Sequence, residues 1–378
     1  MERKPARQFD EDDAMRTTNV NPQTDKNGSG RVFWKRVDFW VILLLLAVAA
    51  AFYRDSWQEI QEGIRQITWR ELLHCILLSL AAYVLEGMTI ACMMSAVRSG
   101  SDCTFPVKRG TAIAYLCEFY RLITLGSGSG FAEIYYLHKS GIETGTATVL
   151  TMLQYVCKRI AILTLGCLGG LTLCCGHRTS LAYRGLFREY AVFIAAGCMI
   201  SIGVIAVFLS VAVSAKITNV IIGLLDWAGV RFPSFEKKGC EWKRQVTLLN
   251  RFGGIVLGKK RKITCAILLQ GGKLFLFYSI PAYLLHEKAA RTMGWYDDGA
   301  DAAMGWIVCV LLMAVVYMLA GIIPAPSGAG SLEFVFLLFF SGMIRAQAAL
   351  PAILVFRFAT WIVPFLIGGA VKIRNSSA

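Results

Sequence analysis

Long apolar blocks alternate with short polar stretches along this chain. Three blocks, DFWVILLLLAVAAAFY, LLHCILLSLAAYVLEGMTIACMMSAV and REYAVFIAAGCMISIGVIAVFLSVAVSA, can each cross a hydrocarbon layer of about 30 Å as a helix. The pattern predicts full spans at about 37–54, 72–97, 146–174, 188–213, 264–286 and 346–372. With 56% hydrophobic residues and a mean hydropathy of +0.55, the predicted fold class is all-α, a polytopic helical membrane bundle.

Gly- and Ser-rich breaks interrupt two of the apolar regions. GSGSGFAE, at 126–133, follows an apolar segment at about 107–125, and PSGAGSLE, at 326–333, follows another at about 303–323. Each break precedes a helix too short to span and then a full span. The breaks match at a constant offset of 200 residues in four pairs: Ser127 and Ser327, Gly128 and Gly328, Gly130 and Gly330, Glu133 and Glu333.

The full span after each break carries cations near its middle. These are Lys158 and Arg159 in the first copy, with Lys158 25 residues after Glu133, and Arg357 in the second, 24 residues after Glu333. The shared order indicates an internal duplication, with repeat one at 107–174 and repeat two at 303–372. If the breaks are tips of re-entrant hairpins, two intervening spans make the repeats inverted; if the preceding segments cross fully, the repeats are parallel.

The net charge of +14 is typical of basic cytoplasmic loops in a membrane protein, so we expect no nucleic-acid partner. The loop at 214–263, which ends in GKKRK, is predicted to be amphipathic and cytoplasmic. Counting crossings from it places both termini in the cytoplasm of a multi-pass inner-membrane protein. Residues 1–35 are predicted to be a disordered polar tail, and 36–373 a single transmembrane domain.

Each break can serve as an anion site, because a Gly/Ser turn that opens a helix directs free N–H groups at one point. The alternative is a tight turn that binds nothing. With Gly130 or Gly330 as N-cap, Glu133 and Glu333 would each occupy position N3 and complement the helix dipole. The alternative role for each glutamate is contact with a cationic headgroup or a coupling proton, and the sequence leaves both open.

Cations near mid-bilayer cost about 2.5–3.5 kcal/mol each on translocon scales, so they face protein or water. The functional hypothesis is that Lys158, Arg159 and Arg357 hold a lipid phosphate. The alternative is internal ion pairing with Glu133, Glu333 or Glu86. We expect Glu86 and Lys273, both near mid-span, to pair with each other or to line the same cavity, and Glu118 and Arg121 to be interfacial.

The sequence favours no hydrolytic catalysis. It contains no H-E-x-x-H, G-x-S-x-G or Walker A motif. Its twelve cysteines are scattered through apolar segments without a C-x-x-C pair. We therefore expect no metal, no cofactor and no disulfide framework, and the protein is predicted not to be an enzyme.

The chain resembles the lysylphosphatidylglycerol synthase transmembrane region family over about 40–373. The resemblance is clearest in RLITLGSGSGFAEIYYLHKSG, followed by ATVLTMLQYVCKRI, and in GIIPAPSGAGSLEFVFLLFFSG, followed by ALPAILVFRFATWIVPFLIGG. The first copy has Leu125-Gly126 where the family usually has a proline before its glycines. The site residues that the resemblance implies are Pro326, Gly328, Gly330, Glu333 and Arg357.

Full-length members of that family carry a C-terminal aminoacyl-transfer domain, and this chain ends at Ala378, so the resemblance implies the translocating half alone. The predicted function is a flippase-like lipid translocase that moves a polar-headed lipid between leaflets. Its substrate would be a phospholipid, a polyprenyl lipid or a hopanoid-type lipid. An intramembrane enzyme acting on a lipid phosphate, and a membrane scaffold for a separate cytoplasmic enzyme, are the alternatives. The oligomeric state, including a homo-oligomer, stays open.

Overall fold

Helices account for nearly all of the chain that the computed structural model describes, which is residues 61, 64–97, 105–124, 126, 128–175, 181–231, 236–293, 299–321, 323, 330–340 and 346–376. These residues all belong to one unit, Asp55–Ala378. The predicted tail at 1–35 and the predicted span at 37–54 lie outside the described residues. So do four of the predicted site residues: Ser127, Pro326, Ser327 and Gly328.

Within the described residues the chain forms helices and no strands. The helices, in chain order, are α1 (Trp69–Val97), α2 (Val107–Ile123), α3 (Gly128–Lys139), α4 (Thr144–Cys175), α5 (Leu181–Val213), α6 (Ala215–Arg231), α7 (Glu236–Leu257), α8 (Lys260–Met293), α9 (Gly299–Ala320), α10 (Ser331–Phe340), α11 (Ala346–Arg357), a π-helical turn (Phe358–Ile362) and α12 (Val363–Ser376).

Five stretches of these helices are long and apolar enough to cross a membrane. They are Trp69–Val97, Thr144–Leu171, Tyr190–Val213, Lys260–His286 and Ala349–Arg374, and each covers most of a span that the apolar pattern predicts. Two shorter apolar helical stretches, Gly305–Ala320 and Ser331–Phe340, also belong to the bundle. The all-α polytopic fold class is therefore confirmed, while the re-entrant course of the breaks stays a prediction.

The basic region at 214–263 consists mainly of α6 and α7, which pack against each other. An ion pair between Lys243 on α7 and Asp226 on α6 joins them. Exposed apolar side chains recur on α6 at Val220, Leu224 and Trp227, and α6 and α7 both carry exposed cations. The predicted amphipathic character is therefore present, and the cytoplasmic location stays a prediction.

Helices α1 and α2 cross at backbone contact, and glycine permits this. A Cβ on Gly87 of α1 would lie 2.1 Å from Thr111 Oγ1 and 2.4 Å from Thr111 N of α2. On α12, a Cβ on Gly368 would lie 2.3 Å from the carbonyl oxygen of Tyr115, also on α2. Small residues at such crossings allow close van der Waals packing, which drives helix association in lipid. These two crossings hold α2 between α1 and α12.

Both breaks join two helices that contact each other. In the first copy α2 packs against α3, and in the second α9 packs against α10. The helix before each break also packs against the final span of the other copy, because α2 contacts α12 and α9 contacts α4. This reciprocal exchange is what a two-fold relation between the repeats produces. The inverted orientation of that relation stays a prediction.

Candidate functional site

Two adjoining cavities, of about 210 and 180 Å³, lie among the helices of the two repeats. They share five lining residues: Arg121, Tyr155, Lys158, Tyr317 and Trp361. The larger cavity extends from these towards α1, α3 and α8, and the smaller one towards α9, α10 and α11. The shared residues make the two cavities one polar region, which we call the central cavity.

The first turn of each short helix lines the central cavity. Ser129 and Gly130 of α3 line the larger part, and Ser331 and Leu332 of α10 line the smaller part. The N-terminal ends of α3 and α10 therefore both meet the cavity, as the matching breaks at an offset of 200 residues predict. Gly330 itself has a φ of +84°, a left-handed conformation that glycine adopts readily.

Glu86 forms the centre of a polar network in the larger part of the cavity. Lys273 Nζ lies 2.9 Å from Glu86 Oε2, which is the pairing that the sequence left as one alternative. Gln154 Nε2 donates to Glu86 Oε1 at 2.9 Å, and Gln270 Nε2 donates to Glu86 Oε2 at 2.8 Å. The carboxylate thus accepts from α4 and from two residues of α8. Such complete pairing is what makes a buried charge tolerable.

Glu333 and Arg357 form the second ionic contact, at the smaller part. Arg357 Nε lies 2.5 Å from Glu333 Oε1, and Arg357 Nη2 lies 2.8 Å from Glu333 Oε2, a bidentate geometry. Glu333 Oε2 also accepts the backbone N–H of Gly330 at 2.9 Å, which is the N3-to-N-cap contact expected from the sequence. The Arg357 guanidinium stacks 3.8 Å from the Trp361 ring centroid.

Glu133 does not occupy the position that the sequence predicts for it. Helix α3 begins at Gly128, so Glu133 follows the first turn and is not at N3. The helix starts early because the Thr124 hydroxyl accepts the backbone N–H of Gly128 at 2.6 Å. Glu133 Oε1 and Thr151 Oγ1 line the cavity, and both are buried without a hydrogen-bond partner among the described residues.

Lys158 and Arg159 do not form the ion pairs that the sequence analysis weighed for them. Lys158 lines both parts of the cavity, and within the described residues it has neither an ion pair nor a hydrogen bond. Arg159 donates from Nε to the Tyr155 hydroxyl at 2.8 Å and has no carboxylate partner in the described part of the chain. Among the described residues, these two cations of repeat one thus face the cavity without a direct ion pair to a carboxylate.

The central cavity also contains Glu118 and Arg121, which the sequence analysis expected to be interfacial. They form an ion pair with each other, and both line the larger part of the cavity, so they belong to the candidate site, while their position at the membrane interface stays a prediction. The guanidinium carbon of Arg121 lies 5.4 Å from the Trp361 ring centroid, and Arg357 of the other repeat stacks on the same ring. They were missed because they were judged by their place near the end of an apolar segment. The packing of α2 against α12 brings them inside.

A π-helical turn places Trp361 in the cavity. It follows Arg357 directly, at Phe358–Ile362, inside the otherwise continuous last span. Side chains of α1 bind its carbonyl groups: Ser79 Oγ donates to Ala359 O at 2.7 Å, and the Tyr83 hydroxyl donates to Thr360 O at 3.2 Å. Single π-helical turns inside α-helices are frequent at functional sites. No motif in the sequence indicated this turn, although Arg357, which directly precedes it, was predicted as a site residue.

The central cavity does not have the composition of a metal site. Among the described residues there is no group of three or more His, Cys, Asp and Glu side chains that could hold a metal ion. Its charged side chains are instead arginine, lysine and isolated glutamates. Arginine and lysine are the residues that bind phosphate groups, arginine through a planar fork and lysine as a point charge. The arrangement is suited to an anionic group with oxygen atoms.

One protein family matches most of the chain. Its model, described as Lysylphosphatidylglycerol synthase TM region, matches residues 37–368. The match includes both breaks, both short helices and every residue of the central cavity. No curated protein matches the chain.

Proposed function

Because the chain belongs to the lysylphosphatidylglycerol synthase TM region family, we propose that it is a translocase moving a polar-headed lipid between the two leaflets. The family and the five membrane-length helices make the chain an integral membrane protein of lipid-related function. Transport is the activity that a polar cavity inside an apolar helix bundle supports best, because a headgroup has to cross the hydrocarbon region without losing its polar contacts.

The observation that carries the proposal is the position of the central cavity between the two repeats. Residues of α2 and α4 from repeat one meet Tyr317 and Trp361 from repeat two around it, and each repeat contributes the first turn of a short helix. Transporters built from repeats bind their substrates at such an interface, where the ends of interrupted helices meet. A site shared by two related halves can open by movement of one half against the other.

The cations give the proposed path its chemistry. A lipid phosphate entering the cavity would meet Lys158 and Arg159, which lack carboxylate partners within the described residues. An unpaired cation in a bundle interior is unfavourable, and such residues in membrane proteins mark ligand and ion pathways. The phosphate would supply the missing anion during passage. The acyl chains would stay in the hydrocarbon region outside the cavity.

Leaflet exchange in proteoliposomes tests the proposal. The full chain is reconstituted with a phospholipid labelled fluorescently on an acyl chain, and dithionite added outside bleaches the label in the outer leaflet. We expect bleaching to extend to the inner-leaflet label only in vesicles that contain the protein. Arg357→Ala should remove this extension, and Lys139→Met, at an exposed end of α3, should keep it.

Two other outcomes would contradict the proposal. Release of phosphate from a lipid phosphate by the purified protein, without leaflet exchange, would favour an intramembrane enzyme. A stoichiometric cytoplasmic enzyme that copurifies with a chain inactive in exchange would favour a membrane scaffold. Exchange that is equally fast with wild type and Arg357→Ala would show that the lipid does not pass the central cavity.

A further inference from the structure

The formal charge of the central cavity does not balance. Among the residues that the structure describes, five cations line it: Arg121, Lys158, Arg159, Lys273 and Arg357. Three carboxylates line it, Glu86, Glu118 and Glu133, and Glu333 is joined to it through Arg357. Five cations against four carboxylates leave a formal charge of +1. This excess favours the entry of an anionic headgroup over a cationic one.

The excess charge has a definite place within the cavity. Three cations already have carboxylate partners, in the contacts Arg121–Glu118, Lys273–Glu86 and Arg357–Glu333. The remaining two, Lys158 and Arg159, are consecutive on α4, and both line the smaller part of the cavity. A phosphate there would lie near the Lys158 ammonium, the Arg159 guanidinium and the Tyr155 hydroxyl. Glu133 offsets one of these two charges in the cavity as a whole, so one phosphate charge matches the remaining formal excess of one.

The larger part of the cavity holds two buried polar groups, the Glu133 carboxylate and the Thr151 hydroxyl, that lie outside the hydrogen-bond network of Glu86. Glu133 Oε1 and Thr151 Oγ1 are buried, line that part, and have no partner among the described residues. A buried acceptor without a donor is unfavourable by about 1–3 kcal/mol, so a ligand that donates hydrogen bonds there gains affinity. Lys158 lines this part too, so a headgroup anchored by its phosphate at Lys158 can reach Glu133 and Thr151.

From these two observations we propose that the substrate is a lipid of net negative charge, with one phosphate and a hydroxyl-bearing, uncharged remainder of the headgroup. The proposal rests on the translocase function and defines its substrate class. The phosphate binds at Lys158 and Arg159, and hydroxyl groups donate to Glu133 and Thr151. A lipid with an additional ammonium group, such as an aminoacylated phosphatidylglycerol, would raise the positive charge of the occupied cavity and be disfavoured.

Three probes that share one acyl-chain label and differ in net headgroup charge test this inference in the proteoliposome assay. They are phosphatidylglycerol at −1, phosphatidylethanolamine at zero and lysylphosphatidylglycerol at +1. We expect the protein to exchange phosphatidylglycerol fastest and lysylphosphatidylglycerol slowest, roughly tenfold apart, the factor that 1.4 kcal/mol of binding free energy gives. Faster exchange of either of the other probes would overturn the inference and leave the translocase function standing.

Two variants separate the roles of the cation and the carboxylate. Lys158→Met should slow phosphatidylglycerol exchange and bring its rate towards that of phosphatidylethanolamine, because the excess charge is gone. Glu133→Gln keeps a carbonyl oxygen as acceptor for a hydroxyl, so it should slow phosphatidylglycerol exchange less than Glu133→Ala, which removes the acceptor altogether. Selective loss of phosphatidylethanolamine exchange in Glu133→Gln would show that Glu133 binds an ammonium group, and would overturn the assignment of the uncharged headgroup.

A binding measurement that does not depend on transport tests the proposed substrate class separately from the translocase function. Native mass spectrometry of the purified full chain in detergent gives the affinity for each of the same lipids and for inorganic phosphate. Preferential binding of phosphatidylglycerol, lost in Lys158→Met and kept in the Lys139→Met control, supports the inference even if no probe is exchanged, an outcome that overturns only the translocase function. Equal affinity for all three lipids, or tighter binding of inorganic phosphate than of phosphatidylglycerol, would overturn the inference.

Discussion

Glu333 accepts two hydrogen bonds from the guanidinium of Arg357, at 2.5 Å to Oε1 and 2.8 Å to Oε2. The same carboxylate accepts the backbone N–H of Gly330 at 2.9 Å and so caps α10. The sequence predicts a helix cap and an ion pair as separate roles for Glu333, and in the structure one carboxylate fills both. Through one side chain the last span is tied to the start of the short helix that lines the cavity.

Replacing Glu333 with alanine should therefore destabilise the protein. The substitution removes the cap of α10 and leaves Arg357 without its carboxylate. Because the Glu333 side chain is 30% exposed, we expect a loss of about 2 kcal/mol in the free energy of unfolding, below the range for fully buried pairs. Thermal unfolding of the purified protein in detergent measures it, with Glu143→Ala, an exposed glutamate at the start of α4, as control.

A double variant tests whether the unpaired cation is the cause. Glu333→Leu combined with Arg357→Met removes both charges, and should unfold at a higher temperature than Glu333→Ala alone. Both variants lack the helix cap, so a double variant that is less stable than the single one would mean that Arg357 stabilises the protein through its other contacts, such as the stacking on Trp361, even without its carboxylate.

The crossing of α1 and α2 gives a prediction about packing. Gly87→Ala would place a Cβ 2.1 Å from Thr111 Oγ1 and 2.4 Å from its backbone nitrogen, so one helix has to move. We expect the helices to separate and the yield of folded protein to fall, with a loss of about 3 kcal/mol or more. Gly271→Ala is the matched control, because a Cβ there meets nothing within 4 Å and favours the helix. Equal thermal stability of the two variants would contradict the packing argument.

The π-helical turn depends on hydroxyl groups of α1. Ser79 donates to the carbonyl of Ala359 from another helix, whereas Ser279, also buried, donates to Phe275 within its own helix. Ser79→Ala should therefore lower the free energy of unfolding by about 1 kcal/mol more than Ser279→Ala, because only Ser79 provides a bond that links two helices. Differential scanning fluorimetry on both variants measures the difference, and a larger loss for Ser279→Ala would refute the proposed support of the turn.

Much of the fold could be predicted from the sequence because lipid imposes few solutions. Apolar length identified the spans, and the last one, predicted at about 346–372, is formed by α11, the π-helical turn and α12 up to Ser376. The offset of 200 residues between the breaks predicted two repeats, and the helices of these two segments pack reciprocally. The apolar pattern does not show which helix packs against each face of a given helix. Arg121 was left outside the predicted site for that reason, since only the packing of α2 shows that it lines the cavity.

Within the candidate site, the sequence indicated the cations and not their pairing. Lys158 and Arg357 occupy comparable places in the two copies, yet Arg357 has its glutamate and Lys158 has none in the described residues. The two glutamates also differ in place, because Glu133 lies beyond the first turn of α3, which begins at Gly128 with its N–H bonded to Thr124 Oγ1, whereas Glu333 lies in the first turn of α10. A shift of this kind depends on one side-chain hydrogen bond. It breaks the symmetry of the site without changing the pattern of residues.

Lys158 and Lys273 give the sharpest contrast for a test of function against stability. Lys273→Met leaves the buried Glu86 carboxylate without its cation, so we expect a loss of about 3 kcal/mol in the free energy of unfolding. Lys158→Met removes a cation that has no partner in the described residues, so the protein should be as stable as wild type or more stable. Lipid exchange should nevertheless fall in Lys158→Met, because the residue lines both parts of the cavity. Thermal unfolding and leaflet exchange are measured on the same preparations. A Lys158→Met protein that is unstable would mean that the lysine is structural, and one that is stable with full exchange would exclude it from the lipid path.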